Sequence, residues 1–212
     1  MGRSSCKMAI PIALVTVTTL AAMILTQASD PELTTDYYVN STTDKTTVTS
    51  DYFTSEVFRG GITIPEGATV FTKRITSEPD SLPSLTGLGV SVAMIKYLPG
   101  GTNPHHTHPR GTEVLYVMEG KLTVGLVDTT NKLFTQVLSV GDVFVFPKGL
   151  VHYQINLGSK PVVAYISFSS SNPGTVSLPA TLFGSGIPDK VHKVAFKVDG
   201  HVVDKLQEPF NM

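Results

Sequence analysis

Apart from Cys6, this chain of 212 residues has no cysteine, and it has no tryptophan at all. Its stability therefore has to come from burial, and a chain of this length can bury a sufficient core without disulfides. Charge is also scarce: Asp, Glu, Lys and Arg make up 16% of residues, against 41% hydrophobic. The two signs nearly cancel, with 16 basic and 17 acidic side chains. There is no basic stripe, so a nucleic-acid binder is excluded as the expected class. The middle of the chain shows no run of helical period, which argues against alternating strands and crossover helices. No retention tetrapeptide closes the chain, which finishes Glu208-Pro-Phe-Asn-Met212, so export is the default expectation.

One long apolar run is present, and it lies at the start. Arg3 and Lys7 precede Met8–Leu25, which is apolar apart from Thr16, Thr18 and Thr19. Thr26-Gln27-Ala28 then offers small residues at the outer positions of a cleavage site. Residues 1–28 read as a secretory signal peptide, cut after Ala28 or Ser29. The three threonines weaken the competing reading as a membrane anchor. Removal takes Cys6, Arg3 and Lys7 with it, leaving 14 basic against 17 acidic residues, a formal charge of −3. The mature chain is then free of cysteine. Asn40-Ser41-Thr42 is a glycosylation sequon, usable on the secretory route.

Three regions follow the leader. Residues 29–70 open as a Thr-, Ser- and Asp-rich extended arm and lead into the first strands. From about Phe71 to residue 187 short β-rich runs alternate with turn signals. Strands are expected at Val90–Leu98, Glu113–Met118, Leu122–Val127, Leu133–Val140, Val143–Phe146, Val151–Ile155 and Val162–Phe168. Many short strands at this spacing predict an all-β antiparallel sandwich or barrel. Met94 and Met118 are expected to pack in its core. Residues 188–212 form a short helical tail. Val191, Val194, Ala195 and Val198 take one helix face, with Asp189 as the cap and Gly200 breaking the helix before a second short one.

Four residues in two glycine-flanked segments carry the chemistry: His106, His108, Glu113 and His152. In a strand, residues i and i+2 share a face, so His106 and His108 can both aim inward. Pro109-Arg-Gly-Thr112 supplies a bend, after which Glu113 can return to the same pocket. His152 must come from a neighbouring strand, after the Pro147-Lys148-Gly149 turn. Three imidazoles and a carboxylate suit Mn²⁺ or Fe²⁺, with positions left open for a small ligand. Affinity alone favours copper or zinc at such a site, so cellular supply decides the metal. His105 falls on the opposite face and is assigned no metal. His192 and His201 lie in the tail and are assigned no chemistry.

Both segments match the two signature boxes of the cupin superfamily without a gap. The first runs Gly100, five residues, His106-x-His108, four residues, Glu113, six residues, Gly120. The second runs Gly141, five residues, Pro147-x-Gly149, two residues, His152, three residues, Asn156. The wording inside them resembles germins and germin-like proteins of plants, from Ser29-Asp-Pro31 to Leu182-Phe-Gly-Ser-Gly-Ile-Pro188. The resemblance implies a jelly-roll β-barrel and manganese held by His106, His108, Glu113 and His152. It also implies a homohexamer, a trimer of dimers clasped by the helical tails, in the extracellular matrix, apoplast or cell wall.

This sequence departs from the germin pattern twice. Germins usually carry a disulfide in the arm; this chain cannot, and Tyr38 stands near the first cysteine's place. Oxalate-oxidising members set two asparagine amides over the substrate. Asn103 matches one and is the candidate substrate contact, although in Gly-Gly-Thr-Asn-Pro it can equally shape the turn. The other position holds Ala93, which cannot donate a hydrogen bond. Asn156 is expected to close a turn. The leading expectation is therefore a manganese superoxide dismutase acting on a small anion. The alternatives are an oxidase of a small carboxylate such as oxalate, a zinc- or other metal-dependent binding protein without turnover, and a wall-associated protein with a structural metal.

Overall fold

Alternating apolar and polar residues in short runs leave each strand with one face to bury, and two sheets packed face to face satisfy all of them. The computed structural model describes residues 30–31 and 33–210. The proposed leader lies outside the described residues. Among the described residues, ten strands form two antiparallel five-stranded sheets. In chain order they are β1 Val70–Ile75, β2 Ser91–Tyr97, β3 Thr102–Thr107, β4 Glu113–Glu119 and β5 Lys121–Val127, then β6 Leu133–Ser139, β7 Val143–Phe146, β8 Val151–Ile155, β9 Val162–Phe168 and β10 Val176–Ser177. One sheet has the order β1-β2-β9-β4-β7 and the other β10-β3-β8-β5-β6. The core lies between them, built from Ala93, Ile95, Tyr97, Leu115, Val117, Leu122, Val124, Phe146 and Ile166 among others. This is the cupin jelly roll.

Strands β1, β3 and β10 and one short helix are absent from the expected set, and for two of these four the local reason is plain. Strand β3 reads Thr-Asn-Pro-His-His-Thr, with a proline that cannot donate to a ladder. A register shift between Asn103 and His106 absorbs Pro104 and lets pairing with β8 resume. Helix α1, Leu178–Phe183, is too short at 6 residues to show a period.

The tail contains α2 at Asp189–Phe196 and α3 at Gly200–Gln207. Pro188, not Asp189, occupies the cap position, and no side chain caps the helix. Asp189 sits in the first turn, where its charge suits the helix dipole, and accepts a 3.0 Å bond from Gln207 Nε2 of α3. The break falls at Lys197, which is left-handed with φ 56°, and Gly200 starts the next helix. The expected apolar face is turned outward: Val191 is 52% and Val194 72% exposed, while His192 is buried. The two methionines also differ from expectation. Both alternate with inward residues, so Met94 is half-buried and Met118 exposed on the outer surface.

Candidate metal centre

Strand pairing brings the four residues together from both sheets. His106 on β3 lies directly opposite His152 on β8. His108 follows β3 by one residue, and its carbonyl accepts from Gly149 N at 3.0 Å. The bend after it is pinned to the link between β9 and β10. Arg110 donates from Nε to Asn172 O at 2.7 Å and from its terminal nitrogen to Asn172 Oδ1 at 3.0 Å. Gly111 is held so closely that a Cβ would lie 3.1 Å from Pro173 Cβ and 3.2 Å from Ser170 Cβ. The chain then crosses to the other sheet, and Glu113 starts β4 between Phe146 and Phe168. All four side chains are buried, with ligand atoms within 4.8 Å of one another.

The backbone fixes the tautomer of each imidazole. Nδ1 of His106 donates to Pro104 O at 2.7 Å, Nδ1 of His152 to Leu150 O at 2.8 Å, and Nδ1 of His108 to Gly174 O. A carbonyl only accepts, so each Nδ1 carries a proton and each Nε2 is the atom turned inward. His108 Nε2 is 2.8 Å and His152 Nε2 3.5 Å from Glu113 Oε2. Among the described residues, His152 Nε2 is buried without a hydrogen-bond partner. A single proton can satisfy one such contact; a divalent cation satisfies all four ligands at once, and this donor set suits one of mixed N/O preference. The residues thus fit a metal.

Electrostatics point the same way. Burial pushes the His106 pKa down to about 4, helped by His152, so the ring stays neutral. Burial alone would raise the Glu113 carboxyl, but the His108 and His152 imidazoles outweigh it and hold its pKa at about 2. The site is walled by aromatic rings: Phe146 stacks on His152 at 4.5 Å, and Phe168 meets His108 edge-on at 4.8 Å.

Gln154 completes the cluster. It is fully buried, donates from Nε2 to Glu113 Oε1 at 3.0 Å, and accepts from Asn103 Nδ2 at 2.8 Å. The sequence reading did not single it out, although its place two residues after His152 on β8 puts it on the same face. Asn103 Nδ2 also lies 3.4 Å from His106 Nε2, so its amide faces the centre. Ala93 is buried on the inward face of β2 and offers no polar side-chain atom. His105 is exposed, its ring 5.3 Å from Tyr153. Asn156 closes the turn before β9, bonding Lys160 O at 2.8 Å and Gly158 N at 3.0 Å. Asn40 is exposed on the arm and is not part of the cluster.

Comparison with known proteins agrees with this geometry. The family model described as Cupin matches residues 63–204. Germin-like protein 9-3 of Oryza sativa subsp. japonica is 42% identical over 193 residues, covering 88% of this chain and 89% of its own length. The chain belongs to the germin-like proteins of the cupin family. This germin-like protein is also similar to the rhicadhesin receptor of Pisum sativum, 44% identical over 162 residues, covering 74% of this chain and 75% of that one. Among solved structures, an oxalate oxidase in complex with the substrate analogue glycolate superposes with a TM-score of 0.79 at 32% identity. That match covers 86% of this chain and 98% of the other.

Proposed function

We propose that this germin-like protein is secreted, binds one manganese ion through His106, His108, Glu113 and His152, and dismutates superoxide. Two superoxide ions and two protons become dioxygen and hydrogen peroxide. The observation that carries the reading is the convergence of three imidazoles, each locked with its proton on Nδ1, onto one buried carboxylate. When bound, manganese supplies the one-electron couple that no side chain here can supply. The protein's part is to hold four donors and leave open positions for a small anion. Gln154 fixes the free oxygen of Glu113, and the rings of Phe146 and Phe168 keep bulk water from the ligands. A diatomic anion needs no elaborate pocket, so Ala93 is no handicap.

The leader and the Asn40 sequon support export to the apoplast or cell wall. Exposed apolar residues support self-association, which we read as a homohexameric trimer of dimers. They include Val137, Val143 and Val145 on β6 and β7, and Val191 and Val194 on α2.

The direct test is superoxide dismutation by the manganese-loaded protein beside His152→Ala prepared identically, with metal content measured in both. Activity that vanishes with His152 supports the reading. Equal feeble rates would overturn it and favour a binding or structural metal. Oxidation of a small carboxylate is the second reading. The Asn103 amide facing His106 favours it, as does the similarity to an oxalate oxidase. Ala93→Asn should then raise oxalate turnover, and no change at saturating oxalate would remove that reading.

A further inference from the structure

A cleft of about 420 Å³ lies between the arm and the barrel, and none of its lining residues belongs to the metal centre. Tyr38, Asn40 and Tyr52 of the arm form one wall; Pro79, Pro83 and Thr86, from the link between β1 and β2, form the other. We propose that this cleft seats the first sugar of a glycan carried on Asn40, and that the seated sugar fastens the arm to the barrel. The proposal rests on the secretory reading above.

The chemistry of the walls is that of a carbohydrate site. Flat tyrosine and proline faces suit the C–H face of a pyranose, and hydroxyls and the backbone suit its polar edge. The volume lies at the lower end of small-molecule sites, about 300–1,000 Å³. Asn40 is itself part of the wall, so a sugar on it begins inside the cleft. Its Oδ1 accepts from Thr42 N at 3.2 Å and Thr42 Oγ1 at 3.3 Å. Among the described residues Nδ2 has no hydrogen-bond partner, and Nδ2 is the reacting atom. It attacks the anomeric carbon of a lipid diphosphate-linked oligosaccharide. The C–N bond forms, the C–O bond to the diphosphate breaks, and Nδ2 loses one proton.

Few polar contacts fasten the arm to the barrel. Asp30 ties its start to Ser170 Oγ and Ser171 N, at 2.7 and 2.6 Å. Phe58 packs edge-on to Tyr165 at its end. Between them, among the described residues, side-chain hydrogen bonds such as Tyr52 Oη to Tyr38 O join the arm only to itself, and its hold on the barrel is by packing, with Leu33 against Gly87 and Ser50–Phe53 against Pro83–Leu85. With no cysteine after position 6, nothing covalent helps.

The test is amide hydrogen exchange over residues 34–58 of the full protein secreted from plant cells. Intact mass first establishes the glycan. Asn40→Gln should speed exchange about tenfold, the weight of one good aromatic contact. Trimming the glycan to a single N-acetylglucosamine should leave exchange as in the untreated protein. Tyr38→Ser, still glycosylated, should exchange as fast as Asn40→Gln, and the double variant no faster. A glycan that is present while Tyr38→Ser or Asn40→Gln changes nothing would overturn the seat and leave the sequon intact. A missing glycan would overturn both.

Discussion

Gln154→Leu separates a residue that merely fills the barrel from one that organises the metal centre. The amide is fully buried and its Nε2 gives Glu113 Oε1 its 3.0 Å bond, while its Oε1 holds Asn103. Leucine has similar volume, so packing changes little and no cavity opens. What is lost is a hydrogen bond to an ionised carboxylate, worth about 1.5–3 kcal/mol. Asn103 is only half-buried and can turn to water, so most of that loss falls on Glu113. Residues that orient metal ligands typically change affinity by about 10–100-fold, the same scale as that energy. Manganese affinity, measured by competition with a chelator of known strength, should therefore fall about 10–100-fold. The thermal midpoint of the metal-free protein should move little, because leucine offsets the lost bond by burial. Affinity within twofold of the parent protein would refute the role given to Gln154. A collapse of the metal-free protein would refute the claim that the effect is local.

His108→Ala should abolish stoichiometric manganese binding; full stoichiometry in a metal analysis would sink the proposed site. The metal-free protein should lose stability as pH falls from 7 to 5. His106 titrates at about 4 when folded against 6.5 ordinarily, so between those values the unfolded chain takes up a proton that the native one refuses. That term is about 2 kcal/mol at pH 5. Glu113, held at about 2 against 4.5, keeps its full contribution above pH 4.5 and loses it only on the way to pH 2. Denaturant midpoints equal at pH 7 and pH 5 would refute the burial argument for His106. A reducing agent should leave the thermal midpoint of the mature chain unchanged, since no cysteine follows Cys6. Gly101→Ala should destabilise by about 3 kcal/mol in urea unfolding, because a Cβ there would meet the backbone oxygen of Thr69 at 2.3 Å.

The fold was legible where a strand buries one face and shows the other. Val143–Phe146, Val151–Ile155 and Val162–Phe168 have the expected bounds. It was illegible where pairing overrides composition. Thr102–Thr107 is a strand despite Pro104 because β8 and β10 flank it and a bulge accepts the missing donor. The tail shows a different limit. Periodicity reveals that Val191 and Val194 share a face but not what covers it, and within one chain nothing among the described residues does. Met118 misleads for the same reason, since hydrophobicity does not say which side of a sheet a residue takes.

At the metal centre, the ligand types were legible and their supports were not. Histidines and a carboxylate at fixed spacing announce themselves because few other uses need that set. The groups that determine their chemistry are mostly backbone: the carbonyls of Pro104, Leu150 and Gly174 fix three tautomers, and any residue could supply them. Gln154 hid in a strand where it alternates with Tyr153 and Ile155, although its inward position made a buried, fully bonded amide necessary. In sequence Asn103 admits two readings, and geometry weighs them unequally. An amide that only shaped the turn would bond its own loop, whereas this one reaches Gln154 51 residues on and faces His106. A pair of substrate-binding amides would need a second donor at Ala93, and a buried methyl cannot become one. Under the proposed function, a single amide beside the four ligands suits a small anion better than a rigid dicarboxylate that must be gripped at both ends.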